Sequence, residues 1–133
     1  MGPRYLPANV AQQKTKAKLL IPLHRRLKEL LAVWPRDQMV ILATGYGKPF
    51  TAAGFGNWMA DKIASAGLPD HCVTHGLRKA AARLLAEAGC TTHQIMAVTG
   101  HKSLSEVERY TKAAQQKRLA QEAFKQLGDE AGT

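Results

Sequence analysis

The chain has 133 residues, a length that predicts one domain with a single core. Its 19 Lys and Arg outnumber its 10 Asp and Glu, so the formal net charge is +9, which favours a polyanion as partner. Cys72 and Cys90 give neither a disulfide framework nor a zinc signature. No apolar run reaches the ~20 residues of a membrane span, and Met1 to Val10 lacks the apolar region of a secretory signal. These features predict a cytoplasmic protein.

The first third of the chain predicts a hairpin and a helix. The apolar residues of 1–13 show no clear periodicity, so this segment is expected to form an irregular lead-in. The next ten residues, KTKAKLLIPL, end in a β-prone apolar run, and KTKA could be the turn of a hairpin. Leu23 to Val33 has apolar residues at helical spacing, and the Trp34-Pro35 pair is expected to end that helix.

The middle of the chain predicts a strand followed by a helix. QMVILA, at 38–43, is short and rich in β-branched residues, so we expect a strand or an extended buried segment. Thr44 to Phe50 holds two glycines and a proline, as a turn does. A helix is expected from Thr51 or Ala52 to Ala66.

The last part predicts only helices. One opens at His75 and stops at Gly89, with Leu77, Ala81, Leu84, Leu85 and Ala88 on its buried side. A second is capped by Thr91 or Thr92 and closed by Gly100, and a short third reaches Tyr110. Residues 112–133 are expected to form a C-terminal helix, with an apolar stripe from Leu119 to Leu127, and a tail. The chain is thus expected to be mainly α, with one small β-hairpin or sheet.

Four polar residues stand at fixed intervals between Thr74 and Thr111: His75, Arg78, His101 and Tyr110. His75 and Arg78 are three apart at an expected helix start, where free backbone N–H groups and the positive end of the dipole favour a phosphate. A guanidinium can pair with two phosphoryl oxygens, imidazoles can move protons, and a phenol can act as a nucleophile. The set therefore indicates chemistry on a phosphodiester.

Three boxes in order carry a resemblance to a known family: HGLRKAAA, TGH with a Lys-Ser turn behind it, and VERYT. They resemble the tyrosine recombinases, or phage integrase family, and the flanking KTKAKLLIPLH and GKPFTAAGFGNWM also look like that family. The resemblance implies the DNA breaking-rejoining enzyme fold and site-specific recombination of double-stranded DNA, by integration or excision, without a metal or cofactor.

The resemblance also implies the role of each residue. Tyr110 is the nucleophile that forms a 3′-phosphotyrosyl bond, and Arg78 clamps the phosphate. His101 donates a second hydrogen bond, and His75 accepts the tyrosine proton or donates to the phosphate. Lys14 is the candidate donor of a proton to the leaving 5′ oxygen, because the family carries a lysine at a hairpin before an IPL-like strand. Lys16 and Lys18 compete for that role.

One feature of the resembled family is missing. Its members place another arginine, followed by an acidic residue, well upstream of the hairpin lysine, and only thirteen residues precede Lys14 here. Residues 1–133 are therefore expected to be a partial domain, the C-terminal portion of a recombinase catalytic domain without its N-terminal half. Strand exchange by this chain would then be weak or absent. The family also buries a C-terminal segment in a neighbouring protomer, so the last helix could dock on another recombinase subunit or pack on its own domain.

Two other functions stay open. The chain could be a non-catalytic remnant that binds DNA or interacts with intact recombinases, or a small regulator with a helix-turn-helix between Arg83 and Thr99. Each site residue also has a purely structural reading. Tyr110 could anchor a terminal helix, and His101 could be a satisfied loop histidine.

Overall fold

The computed structural model describes residues 8–12 and 16–128. Within these ranges two strands precede five helices: β1 (Ala8–Ala11), β2 (Lys18–Ile21), α1 (Arg25–Val33), α2 (Ala52–Ser65), α3 (Gly76–Glu87), α4 (Thr92–Thr99) and α5 (Leu104–Gln126). The two strands pair in one antiparallel sheet. The expectation of a mainly helical chain with one small sheet is confirmed. None of these helices is long and apolar enough to cross a membrane.

The contacts divide the chain into two compact units. The first comprises Met1–Ala8 and Pro22–Leu77, and the second comprises Asn9–Ile21 and Arg78–Thr133. The division falls within the first turn of α3.

The helices of the first unit begin where side chains can accept backbone hydrogen bonds. His24 precedes α1, and its Nδ1 accepts from the N–H of Arg26 at 3.1 Å. Thr51 precedes α2, and its Oγ1 accepts from the N–H of Gly54 at 3.0 Å. Each bond satisfies an N–H that the helix itself leaves unpaired. Both helices lie where the sequence predicts them.

The predicted strand at 38–43 is absent. Only a single antiparallel bridge forms there, between Ala43 and Pro49, while the indole N–H of Trp34 donates to the carbonyl of Ile41 at 2.8 Å. Met39 and Ile41 are exposed. The β-branched run has no partner strand within the described part of the first unit, and without ladder pairing its propensity does not produce a strand.

The second unit is built around α4. The Oγ1 of Thr91 accepts from the N–H of Gln94, and the Gln94 side chain accepts from the N–H of Thr91, which completes a capping box. Gly100 ends the helix with a φ of 73°, a conformation that favours glycine. α4 packs against α5 and beside β2. The core side chains are Ala82, Ala86, Ile95 and Val107.

The buried face of α3 differs from the predicted one. Leu77 and Leu84 are mostly exposed, whereas Ala82 and Ala86 are buried and Leu85 packs against them. Ala82 and Ala86 are four residues apart, so they lie on the same face of α3, and this face contributes to the core of the second unit. The helix also begins at Gly76, which leaves His75 in the preceding turn rather than in the first helical turn.

The two helices predicted at the C-terminus are one. α5 runs from Leu104 to Gln126 with no glycine or proline inside it. Thr111 lies mid-helix, and its hydroxyl donates to the carbonyl of Glu108 at 3.1 Å. Because that hydroxyl is satisfied within the helix, it does not break the helix. The tail at 129–133 lies outside the described residues.

β1 forms inside the segment for which no regular structure is expected. Four residues, Ala8–Ala11, pair with β2, and the N–H of Gln12 donates to the carbonyl of Ala17 at 2.9 Å beyond the end of the ladder. Strands this short carry too little periodicity to be recognised alone. From Asn9 onward the described part of the hairpin belongs to the second unit, where Gln12 bonds to the backbone of α4.

Candidate active site

The second unit brings Arg78 and His101 together. Arg78 lies in the first turn of α3 and is half-buried, and His101 directly follows the glycine that ends α4. The Nε–H of Arg78 donates to Nε2 of His101 at 3.4 Å. Two of the sequence-predicted site residues, 23 positions apart, are therefore hydrogen-bonded side chain to side chain.

Thr99 fixes how the His101 ring is held. The Thr99 hydroxyl donates to the carbonyl of Ile95 at 2.9 Å and lies 2.6 Å from Nδ1 of His101. A hydroxyl has one proton, so toward the ring it acts as the acceptor. Arg78 can only donate. Both neighbours thus favour the neutral tautomer with its proton on Nδ1 and its lone pair on Nε2, facing Arg78.

Gln12 joins the hairpin to this pair. Its Oε1 accepts from Nη1 of Arg78 at 3.3 Å, and its Nε2 donates to the backbone carbonyl of Thr99 at 2.7 Å. The amide group lies directly over Gly100, where an added Cβ would be 2.6 Å from both Oε1 and Nε2. Three chain segments therefore meet at one guanidinium.

Tyr110 is placed differently. It lies on α5, is half-buried, and packs its ring against the apolar core of the second unit. Among the described residues its hydroxyl makes no hydrogen bond, to Arg78 and His101 or to any other group. The Arg109 guanidinium lies 6.0 Å from the centre of the Tyr110 ring. The structure thus leaves the phenol hydroxyl outside the hydrogen-bonded cluster.

A cation-lined cavity of about 390 Å³ borders Tyr110. Its walls come from α3 and α5, and the charged side chains that line it are Lys79, Arg83, Glu87, Arg109 and Lys117. The carboxylate of Glu87 lies 3.8 Å from Arg83, and that pair is largely exposed. Four cations against one carboxylate make this wall attractive to an anion.

The remaining predicted site residues are His75 and Lys14. His75 is exposed, belongs to the first unit, and makes no hydrogen bond within the described part of the chain. Lys14 lies outside the described residues. Of its competitors, Lys16 has a positive φ of 57° and is exposed, and Lys18 is exposed on β2. No group of three or more metal-ligating side chains is found in the described ranges.

Comparison with known proteins identifies the family. Residues 7–117 of the 133 match the model of the phage integrase family. The chain belongs to the phage integrase family. A search of curated proteins and a search of solved structures returned no significant match. Phage integrase family proteins bind DNA and carry out site-specific recombination, and the match confirms the resemblance drawn from the three sequence boxes.

Two residues of this cluster, Thr99 and Gln12, are not predicted from the sequence. Thr99 is visible only as the first letter of the TGH box, and Gln12 precedes the KTKA segment. A hydroxyl two residues before a histidine is common and indicates nothing alone. Gln12 reaches a guanidinium 66 positions away, a contact that only the folded hairpin creates.

Proposed function

We propose that this integrase-family chain cuts and rejoins DNA through Tyr110. The Tyr110 oxygen attacks the phosphorus of a backbone linkage, the bond from phosphorus to the 5′ oxygen breaks, and a 3′-phosphotyrosyl bond forms. That bond retains the energy of the broken linkage. A second 5′ hydroxyl can then attack it, release Tyr110 and seal a new strand.

The hydrogen-bonded pair of Arg78 and His101 is the observation that carries this proposal. Phosphoryl transfer concentrates negative charge on the nonbridging oxygens. Hydrogen-bond donors that are already in position stabilise that charge without further reorganisation. The Arg78 guanidinium, half-buried and held from two sides, suits two of these oxygens. His101 supplies a further hydrogen bond once its Nε2 carries a proton.

Other side chains are proposed to transfer protons at the two reacting oxygens. The attacking phenol loses a proton, for which His75 is the proposed acceptor. The leaving 5′ oxygen gains a proton, for which Lys14 is the proposed donor, with Lys16 and Lys18 as alternatives. Each assignment follows the family resemblance at that position.

A suicide DNA substrate tests the proposal. A duplex nicked next to the cleavage site loses its short 5′ fragment after attack, so the covalent adduct accumulates. We expect an adduct to form slowly with the wild-type chain, in keeping with the weak strand exchange expected of a partial domain. The adduct should be lost in Tyr110→Phe and retained in Tyr46→Phe, an exposed tyrosine of the first unit. An adduct that persists in Tyr110→Phe contradicts the assignment.

A second candidate function is DNA binding without cleavage. It is favoured by the position of Tyr110, whose hydroxyl makes no hydrogen bond to Arg78 or His101, and by the cations around its cavity. In that case DNA binding is salt-sensitive and tolerates Tyr110→Phe, and no adduct forms with any substrate. The adduct assay therefore separates the two functions.

Other recombinase protomers are the proposed protein partners. From Gln115 to Gly128 every residue of the chain is exposed, including Leu119, Phe124 and Leu127. Three exposed large apolar side chains at the end of α5 and just after it suit docking on a neighbouring subunit.

A further inference from the structure

Gln12 is an uncharged side chain placed between the guanidinium of the site and the backbone that ends α4. It bonds to Arg78 through Oε1, at 3.3 Å, and to the carbonyl of Thr99 through Nε2, at 2.7 Å. The Oε1 atom thus faces a donor, and the Nε2 group faces an acceptor.

We infer that Gln12 is a positioning residue, which holds the Arg78 guanidinium in the orientation that receives a DNA phosphate. The inference rests on the proposed function and deepens it. Arg78 has three groups that can donate, at Nε, Nη1 and Nη2. His101 takes Nε and Gln12 takes Nη1, while Nη2 makes no hydrogen bond among the described residues. Two fixed points prevent rotation of the planar group.

The choice of an amide over a carboxylate has a physical consequence. A glutamate at position 12 would make a stronger, charge-assisted bond to Arg78, but it would cancel the positive charge that the phosphate needs. It would also place an oxygen against the Thr99 carbonyl, with no proton between them. The amide orients the guanidinium and leaves its charge intact.

Gly100 makes this arrangement possible. The Gln12 amide lies where a Cβ at position 100 would be, and Gly100 is buried with a φ of 73°. The glycine that ends α4 thus provides both the left-handed turn and the space for the amide. The hairpin, α3 and α4 are joined at this point.

Gln12→Met tests the inference, because methionine has nearly the same length and no amide. We expect the Nε–H signal of Arg78, assigned through Arg78→Lys, to be protected from solvent exchange in the wild-type chain and to exchange faster in Gln12→Met. Single-turnover cleavage of saturating suicide substrate should slow by up to about 100-fold, as misplaced catalytic groups do. DNA affinity should stay within about twofold, since one of many phosphate contacts is altered.

The controls separate positioning from other roles. Gln116→Met changes an exposed glutamine on α5 and should alter neither exchange nor cleavage. Gln12→Glu should preserve protection of the Arg78 signal and yet lower the affinity for sulfate, used as an anion probe. A merely structural role predicts a lower melting temperature for both Gln12 variants and no change in exchange by the folded molecules.

The outcomes are distinguishable from failure of the proposed function. Equal protection of Arg78 in the wild-type chain and Gln12→Met overturns the inference, whether or not an adduct forms. Loss of DNA affinity with an unchanged cleavage rate at saturation also overturns it, because Gln12 would then be a DNA contact. Absence of an adduct from the wild-type chain contradicts the proposed function, and the exchange measurement still decides the role of Gln12.

Discussion

Arg78 donates a hydrogen bond to the side chain of His101 across 23 positions of sequence, from Nε to Nε2 at 3.4 Å. The direction of that bond matters, because it places the unprotonated nitrogen of the imidazole next to the guanidinium. An anion that binds both side chains must change this arrangement.

Thr99→Val should loosen the His101 ring, since valine keeps the shape of threonine and loses the hydroxyl that bridges Nδ1 and the carbonyl of Ile95. We expect cleavage to fall by roughly 10-fold, in line with a loss of about 1.4 kcal/mol from one neutral hydrogen bond at a buried group. Thr99→Ser should retain most of the rate. Single-turnover adduct formation measures both, and equal rates for the two variants would contradict the ring-holding role.

Binding of an anion should be coupled to proton uptake by His101. In the free protein Nε2 accepts from Arg78, and it can donate to a phosphoryl oxygen only after gaining a proton. Titration with sulfate should therefore move the ring nitrogen-15 signals of His101 from the neutral to the doubly protonated pattern at constant pH. The exposed His93 on α4 is the control and should not respond. If Nε2 of His101 stays unprotonated at saturating sulfate, the ring does not donate a hydrogen bond to the anion.

Gly100→Ala should destabilise the second unit more than Gly89→Ala does. Both glycines have positive φ, 73° and 90°, so both substitutions cost about 1–2 kcal/mol of backbone strain. At Gly100 the new Cβ also meets the Gln12 amide, whereas at Gly89 its nearest neighbour is the flexible tip of Arg118 at 3.8 Å. Displacing Gln12 should add about 1 kcal/mol or more in lost hydrogen bonds.

Urea unfolding of the single and double variants measures this difference. In a Gln12→Ala background Gly100→Ala should cost no more than Gly89→Ala, because the amide it displaces is already gone. Coupling between positions 12 and 100 in such a cycle isolates their contact. Strictly additive effects would show that the amide does not rest on Gly100.

Much of the site follows from sequence because its chemistry is local to short motifs. Arg78 and His101 are predicted from their boxes, and Thr91 and Gly100 mark the ends of α4 through capping and a left-handed turn. These signals depend on a few neighbouring residues. They can therefore be recognised without knowledge of the tertiary structure.

The remainder depends on contacts that are remote in sequence. Gln12 gains its role only when the hairpin packs beside α4, and the run at 38–43 lacks, among the described residues, the partner strand that its propensity requires. Each difference reflects tertiary context overriding a local preference.

The cations around the Tyr110 cavity should contact the DNA backbone. For a protein that neutralises phosphates, log K falls with log salt concentration with a slope of about −0.9 per phosphate. Lys79→Gln or Lys117→Gln should therefore weaken DNA binding and reduce that slope by about one, whatever the DNA sequence. Fluorescence anisotropy across a salt series measures both quantities.

Lys125→Gln is the matched control for this series, because Lys125 lies in the last turn of α5, outside the cavity. It removes the same charge and should leave the slope within experimental error of the wild-type value. An equal loss of slope in all three variants would show a diffuse effect of net charge rather than a contact at the cavity.

The exposed end of α5 should join protomers. Leu119 and Phe124 are each 57% exposed and bury little within their own unit, so Leu119→Glu with Phe124→Glu should leave the melting temperature of the isolated chain unchanged. The same pair should reduce self-association on DNA, because a charge on a docked apolar face must be desolvated without a partner. Sedimentation velocity of the chain on a duplex with two binding sites measures the assembly.

The control for charge is Gln116→Glu with Gln126→Glu, which places the same two carboxylates elsewhere on α5. If both double variants weaken assembly equally, repulsion from DNA explains the effect and the apolar stripe does not. If Leu119→Glu with Phe124→Glu lowers the melting temperature by several degrees, the stripe packs on its own chain. Loss of assembly confined to the apolar pair, at unchanged stability, identifies this end of α5 as the surface that joins one recombinase subunit to the next.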